Sequence, residues 1–253
     1  MDNTLPKVSV ILANYNYGHY LTDALTSCGL QDYPNFDVIV IDDKSTDNSV
    51  EIIRSHCGSQ EILQDSSDFI LSRFNTDKCQ VFLFQLKENG GPARARNIGI
   101  DFAIKQNSHM VQILDADDYM YPNKISRLVA AMIVDPELIG IVYADYFILK
   151  QDGSKTYESK KSFDFNLLYG GESIIHSGAL ISSLVLKRVG YPFYPPEQRV
   201  AEDFSLWLKA CKYFMAVHVA EPLTLVRSHD QDSTNSVAKE IWQRDYQKAM
   251  MYR

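Results

Sequence analysis

The chain has 253 residues, of which 45% are hydrophobic and 23% charged, values that are ordinary for a packed globular protein. Its formal net charge of -7 argues against a general nucleic-acid binder, which needs a surplus of lysine and arginine. No uninterrupted apolar run approaches the roughly 20 residues of a membrane span, and the first residues lack the pattern of a signal peptide.

Strand and helix patterns alternate from residue 7 to 135. Strands are predicted in "KVSVILANY", "FDVIVIDD", "QVFLFQL" and "HMVQILDADD", each of which contains an apolar run that is followed by polar residues; the run in the first is rich in β-branched residues. Helices are predicted in "YLTDALTSCGLQ", in "NSVEIIRSHC" and after the glycine turn of "NGGPARARNIGI", where Pro92 suits the first helical position. This alternation predicts a parallel sheet with helices on both faces.

Two further stretches do not continue the alternation. Residues 58–78 show the least periodicity, and we expect an inserted loop with one short helix there. The second half predicts a strand pair around a turn at Asp152-Gly153, extended segments in "HSGALISSLVLKRVG" and "MAVHVAEPLTLVRSH", and a helix in "AEDFSLWLK". The simplest architecture is a nucleotide-binding αβα half fused to a mixed half that covers one edge of a cleft.

Polar side chains follow three of the predicted parallel strands. Tyr15 ends the first, Asp42 and Asp43 the second, and Asp115 and Asp117 the fourth. Ligands of open α/β sheets bind at the carboxyl ends of the strands, so the sequence predicts a site at this edge.

The Asp115/Asp117 pair can face one divalent cation, because Mg²⁺ and Mn²⁺ prefer oxygen ligands and are often completed by substrate phosphates. An acidic loop that caps the following helix is the alternative. Asp42 and Asp43 can accept from a base N–H or a ribose hydroxyl, or can simply hold their turn, and Tyr15 can stack on a base or lie at the rim.

Three other positions carry candidate chemistry. Arg96 lies in the first turn of a helix, where a cation opposes the helix dipole, so we expect a phosphate or the aspartates as its partner. Glu202 and Asp203 begin a helix, where a carboxylate can serve as general base or as a cap. His229 follows a strand in a polar loop, where it can bind the same cation or be solvated.

These segments, taken in order, resemble the family 2 glycosyltransferases of the GT-A fold. The resemblance rests on "VSVILANYNYGHYLTDALTSCGLQDYPNFDVIVIDDKSTDNS", "NGGPARARNIGI", "LDADDYMYPNKI", "AEDFSLWLK" and "RSHDQDS", and spans roughly residues 7 to 233. It implies a single inverting GT-A domain over 1–253. Its nucleotide-sugar and metal-binding half would cover about 7–135, its acceptor and catalytic-base half about 136–235, and a C-terminal helix 236–253.

The resemblance also implies roles for individual residues. Asp203 would be the catalytic base, with Glu202 and His176 on the acceptor side or in support. Mn²⁺ or Mg²⁺ would be held by Asp117, Asp115 and His229. The nucleotide would be contacted by Ala13, Tyr15, Asp42, Asp43, Arg96, Asp115 and Ala116.

The function expected from this resemblance is transfer of a hexosyl or N-acetylhexosaminyl group from a nucleoside-diphosphate sugar, with UDP the first choice, to a hydroxyl acceptor in cell-surface glycan synthesis. The spacing of the four cysteines indicates no disulfide framework, so we expect a cytoplasmic protein, with peripheral association at the inner face of the membrane left open.

Three alternatives belong to other classes. A sugar nucleotidylyltransferase would need a basic glycine-rich loop after the first strand, which "LANYNYGHY" is not, and a receiver domain would need an aspartate at the end of "QVFLFQLKEN". A catalytically silent nucleotide-sugar-binding module stays open, and replacing Asp203 distinguishes it from an enzyme.

Overall fold

The computed structural model describes residues 5–171, 174, 176–229 and 237–252. Its strands are β1 (Val8–Asn14), β2 (Phe36–Asp42), β3 (Gln60–Asp65), β4 (Phe69–Asn75), β5 (Gln80–Leu86), β6 (Met110–Asp115), β7 (Tyr119–Met120), β8 (Ile139–Leu149), β9 (Lys155–Glu158), β10 (Ala179–Ser182) and β11 (Met215–Arg227). Its helices are α1 (Gly18–Gly29), α2 (Ser49–Cys57), α3 (Gly91–Lys105), α4 (Lys124–Met132), α5 (Phe165–Tyr169), α6 (Ser183–Val189), α7 (Glu202–Ala210) and α8 (Lys239–Met250).

All the strands belong to one mixed sheet in the order β3-β4-β5-β2-β1-β6-β10-β8-β11-β7, with β9 paired to β8. The central strands β5, β2, β1 and β6 are parallel, as the alternating pattern predicts. Strand β10 runs antiparallel between β6 and β8, so β8 and the parallel β11 point the same way as the central strands. The two halves of the chain therefore present their strand ends to one common edge.

Both faces of the central sheet are covered. Along β1, Val10 and Leu12 pack on one face against α1, α2 and α4, whereas Ile11 packs on the other against α3, α6 and α7. Because neither face meets water, most residues of these strands are apolar, and exceptions such as Ser9 and Asp37 are buried and hydrogen-bonded to each other; this is the reason for the long hydrophobic runs in the sequence.

Helix α3 lies unusually close to the sheet. A side chain at Gly99 would place its Cβ 2.5 Å from Ile41 Cδ1 and 2.8 Å from Ile11 Cγ2, so only glycine fits this contact. Gly91, with φ +82°, provides the left-handed turn from which the helix starts. Together they set the start of α3 over the carboxyl ends of the strands, with Arg96 in the second turn of the helix and not in the first turn that the sequence suggested.

The expected loop at residues 58–78 is wrong, because this stretch forms the antiparallel hairpin of β3 and β4 at the edge of the sheet. Strand β4 buries Leu71 and Phe74, but β3 is exposed on both of its faces and a bulge between Ile62 and Gln64 shifts its register. A strand without a buried face has no hydrophobic period, so the sequence pattern could not show it.

The second half agrees with its prediction except at one element. The strand pair around Asp152-Gly153 is confirmed as β8 and β9. The extended segment predicted through "HSGALISSLVLKRVG" is wrong beyond Ser182, whose Oγ accepts from Leu184 N and starts helix α6. Within the part of the chain that the structure describes, no helix is long and apolar enough to cross a membrane.

Candidate active site

A cleft of about 930 Å³ opens at the carboxyl ends of β1, β2 and β6 and is closed on one side by the start of α7. Of the residues predicted from the sequence, the wall contains Ala13, Tyr15, Asp43, Arg96, Asp115, Ala116, Asp117 and Glu202. The others, Asp42, His176, Asp203 and His229, lie one layer behind it, each next to a residue of the wall or interacting with it electrostatically.

The two aspartates that end β2 differ in their surroundings. Asp42 is buried, and its carboxylate accepts from Asn14 Nδ2 at 2.8 Å and Ser45 N at 3.0 Å, so it holds the loop. Asp43 accepts from the backbone N–H groups of Gly90 and Gly91 at 2.9 and 2.7 Å and lies in the cleft wall. Burial raises the pKa of Asp43 although these two donors lower it. Asp43 thus joins β2 to the start of α3.

Asp115 is neutralised by the protein itself. Its Oδ1 accepts from Arg96 Nη2 at 2.6 Å, and its Oδ2 accepts from Ser177 Oγ at 2.9 Å. Burial opposes ionisation of Asp115, but the Arg96 guanidinium outweighs it and lowers the pKa to about 2. Asp115 is therefore an ionised carboxylate with both oxygens engaged.

Asp117 faces a different partner, since its Oδ2 lies 3.0 Å from His229 Nε2. Burial and the adjacent Asp115 charge raise the pKa of Asp117. Asp118 is fully enclosed, and burial together with the charges of Asp117 and Asp115 raises its pKa well above the usual range. Asp117 and Asp118, next to the ionised Asp115, thus lack full compensation by protein cations, which is a setting in which a bound cation is favourable.

The side chains around Asp117 could supply only part of the ligand set of a divalent cation, but they are of the kinds that such a cation binds. Across the described residues, no three His, Cys, Asp or Glu side chains converge closely enough to hold a metal ion. Asp117 and His229 nevertheless offer a carboxylate oxygen and an imidazole nitrogen side by side. Such a pair suits a cation that takes its remaining ligands from water and from substrate phosphates.

Arg96 also reaches the first turn of α7. Its Nη1 donates to Glu202 Oε1 at 2.6 Å, so one buried guanidinium joins Glu202 to Asp115. Glu202 cannot act freely as a base while it is held in this way. Burial raises its pKa even though Arg96 lowers it.

Asp203 follows Glu202 at the start of α7. Its Oδ1 accepts from Phe204 N at 2.7 Å, and its side chain has no cation bound to it among the described residues. Burial, with the neighbouring Glu202 charge, raises the pKa of Asp203 to about 7. A carboxylate in this state takes up a proton near neutral pH, as a general base must.

His176 is buried behind the cleft wall and, unlike a residue that contacts the acceptor, does not line the cleft. Its Nε2 is 2.7 Å from the Tyr194 hydroxyl, and its ring meets Trp207 edge to face. Burial and the Arg96 charge lower its pKa to about 3, so it is neutral at any ordinary pH. Its position supports the wall of the cleft.

Sequence reasoning missed two residues of this region. Arg227, at the end of β11, lines the cleft, and its backbone N–H donates to Asp118. Lys124 is fully buried beneath the acidic loop and donates to the carbonyl of Ser177 and to Thr224 Oγ1, and burial lowers its pKa to about 7. Both lie inside segments on which the resemblance rests, "LDADDYMYPNKI" and "RSHDQDS", but their partners are 53 to 109 residues away, so the segments alone do not show what either residue contacts.

A family model described as glycosyl transferase family 2 matches residues 9–183. An uncharacterized glycosyltransferase of Rickettsia typhi is 28% identical over 244 residues, which cover 93% of this chain and 68% of the relative. A putative teichuronic acid biosynthesis glycosyltransferase of Bacillus subtilis is 25% identical over 254 residues, covering 96% of this chain and 88% of the relative.

Solved structures show the same fold. Staphylococcus aureus TarS 1-349 in complex with UDP-GlcNAc superposes with a TM-score of 0.69 at 21% identity, covering 94% of this chain and 64% of that one. The mannosyltransferase PcManGT of Pyrobaculum calidifontis, in complex with GDP-Man and Mn²⁺, gives 0.65 at 19% identity, with 91% and 59% covered. This chain thus has the GT-A fold and spans about three fifths of the length of each.

Proposed function

This chain belongs to glycosyl transferase family 2, and we propose that it moves a sugar from a nucleoside-diphosphate donor to an acceptor hydroxyl with inversion at the anomeric carbon. The observation that carries the proposal is Asp203, a carboxylate with a pKa of about 7 at the start of α7, beside a cleft whose other carboxylates are engaged or paired.

The donor would lie along the ends of β1, β2 and β6. Tyr15 is 46% exposed at the cleft wall, where its ring can stack on a base, and Asp43 offers acceptor oxygens next to it. UDP is our first choice of nucleotide, because TarS, which shares the fold, is described in complex with UDP-GlcNAc.

A divalent cation, Mn²⁺ or Mg²⁺, would be held by Asp117 and His229, with Asp115 kept beside them by Arg96. When bound, it supplies positive charge that stabilises the diphosphate as it leaves. The PcManGT complex with GDP-Man and Mn²⁺ supports this choice of cofactor.

Asp203 would take the proton from the acceptor hydroxyl. The freed oxygen then forms a bond to the anomeric carbon while the bond from that carbon to the diphosphate oxygen breaks on the opposite face, which inverts the configuration. Arg96 holds Glu202 in place beside Asp203, and burial together with the Glu202 charge keeps the pKa of Asp203 high enough for this role.

The acceptor and the setting follow from the same family context. We propose a hexosyl or N-acetylhexosaminyl transfer in cell-surface glycan synthesis, because the Bacillus subtilis relative is described as a teichuronic acid biosynthesis enzyme. Residues 7–135 would bind the donor and 136–235 the acceptor, and the C-terminal part of the chain contains helix α8 (Lys239–Met250). The four free cysteines suit a reducing cytoplasm.

The test is sugar transfer from a panel of UDP-sugars to small glycan acceptors, measured as release of UDP with Mn²⁺ present. We expect one donor to be turned over by the native protein and not by Asp203→Asn, while Asp101→Asn on the exposed face of α3 keeps full activity. Equal UDP release by the native protein and Asp203→Asn would contradict the proposal.

A further inference from the structure

Tyr20, in the first turns of α1, makes ring contacts with two groups that belong to the far end of the chain. The His229 imidazole stacks on it with 5.3 Å between centroids and 27° between planes. The Arg227 guanidinium carbon lies 4.9 Å from the centroid of the same ring. Tyr20 therefore contacts the side chains of both Arg227 and His229, and Tyr17 meets the His229 ring edge-on from the same end of α1, at 5.6 Å between centroids.

A second contact from the same helix strengthens this arrangement. Asp23 lies three residues after Tyr20, on the same side of α1, and its Oδ2 accepts from Arg227 Nη2 at 2.5 Å. Arg227 is 16% exposed and His229 is 9% exposed in their side chains, so little freedom is left to either.

The position of His229 depends on such support. Asp117 comes from the loop after β6 and His229 follows β11, 112 residues later, yet their side chains meet at 3.0 Å. A ligand that approaches a cation from a separate element has to be oriented by its surroundings, since the affinity of a metal site depends on the groups behind its ligands.

We propose that Tyr20 is a positioning residue for the cation site: its ring fixes the His229 imidazole against Asp117, while Arg227, which also contacts this ring, is held in place separately by Asp23. This inference rests on the proposed function, because it assigns the groups that present the metal ligand. It also gives helix α1 a role in the cation site, because Tyr20 belongs to that helix.

The test compares how much Mn²⁺ strengthens UDP binding in the native protein, Tyr20→Leu and Tyr20→Phe, using isothermal titration with Mn²⁺ or with EDTA. We expect Tyr20→Leu to lose about tenfold of the Mn²⁺-dependent gain, the lower range for residues behind a metal ligand. Its UDP affinity in EDTA should stay within about twofold of native, and Tyr20→Phe, which keeps the ring, should behave as native.

A double-mutant cycle with His229→Ala separates positioning from general damage. If Tyr20 acts through His229, adding Tyr20→Leu to His229→Ala causes no further loss of the Mn²⁺-dependent gain. Tyr213→Leu is the matched control, because Tyr213 also lies under an arginine, with 4.4 Å between the Arg188 guanidinium carbon and the ring centroid, and is 53% exposed away from the cleft. If Tyr20→Leu folds poorly, Tyr20→Met is used in the same cycle.

The outcomes are distinguishable. A native-like gain in Tyr20→Leu, or a loss that adds fully to that of His229→Ala, overturns the positioning role while the proposed function stands. No gain from Mn²⁺ in the native protein itself contradicts the metal site and the proposed function together.

Discussion

Arg96 and Glu202, 106 residues apart, form an ion pair of 2.6 Å that joins helix α3 to the first turn of α7. The same guanidinium holds Asp115 at the end of β6. A single buried cation thus connects the donor side of the cleft to the residue next to the proposed base, and leaves Asp203 as the carboxylate of that turn without a cation bound to it among the described residues.

The pair makes Arg96 a residue on which the fold depends. Arg96→Met should lower the free energy of unfolding by about 3–5 kcal/mol, because it leaves the Asp115 and Glu202 carboxylates enclosed without a cation. Arg94→Met is the matched control, since Arg94 is in the same helical turn but only half-buried, with an exposed bond to the Glu88 carbonyl and no carboxylate bound to it among the described residues, and should change stability by less than about 0.5 kcal/mol. Urea unfolding of both variants measures the difference; equal stabilities would show that the ion pair contributes nothing net.

The pH dependence of the rate should report Asp203. Because burial and Glu202 raise the pKa of Asp203 to about 7, the base is protonated and inactive below that pH. We expect kcat/KM to fall about tenfold per pH unit below pH 7 and to level off above it. Asp203→Asn should lower the rate by at least about a hundredfold at and above pH 7, and by progressively less as the pH falls below 7 and the native base becomes protonated. A flat acid limb down to pH 5 would be incompatible with Asp203 as the base.

The raised pKa that suits Asp203 to catalysis also predicts that Asp203 lowers the stability of the folded protein. The folded state favours the neutral Asp203 carboxyl. The stability of the native protein therefore declines as the pH rises from 3.8, the usual pKa of an aspartate, to about 7, the pKa of Asp203 in the fold, above which the loss of stability is complete. Asp203→Asn has no charge to lose water, and should be more stable than wild type above pH 7 by about 1 kcal/mol or more, since one pKa unit corresponds to about 1.4 kcal/mol. Unfolding at pH 4 provides the internal control, where the two proteins should differ least.

The sequence predicted the parallel centre of the sheet because β1, β2, β5 and β6 are buried on both faces and are therefore mostly apolar. It also predicted the aspartates at the strand ends, since a charge directly after a buried run has few structural uses. It could not predict the Arg96–Glu202 pair or the contact between Tyr20 and His229, because both join residues far apart in the chain whose local surroundings are ordinary. The sequence did not predict the β3–β4 hairpin for another reason: β3 is exposed on both faces and therefore shows no hydrophobic periodicity.

That hairpin leads to a prediction about solubility. Ile62 is 64% exposed on β3, which is the last strand at one edge of the sheet. The outer edge of such a strand carries unpaired backbone groups, which favours association with other chains. Ile62→Lys should reduce aggregation on heating and leave the free energy of unfolding within about 0.5 kcal/mol of native. Light scattering during thermal ramps measures the first and urea unfolding the second; unchanged aggregation would indicate that another surface is responsible.

The measurement that tests the donor site most directly is thermal unfolding with UDP, GDP, ADP, CMP and dTDP, each with and without Mn²⁺. A ligand at a hundredfold excess over its Kd stabilises the native state by about 2.7 kcal/mol. We expect one diphosphate, UDP by preference, to raise Tm only when Mn²⁺ is present, and Asp117→Ala to abolish the shift. If no nucleotide shifts Tm with Mn²⁺ present, the carboxylates at the strand ends are structural and the proposed donor site does not exist.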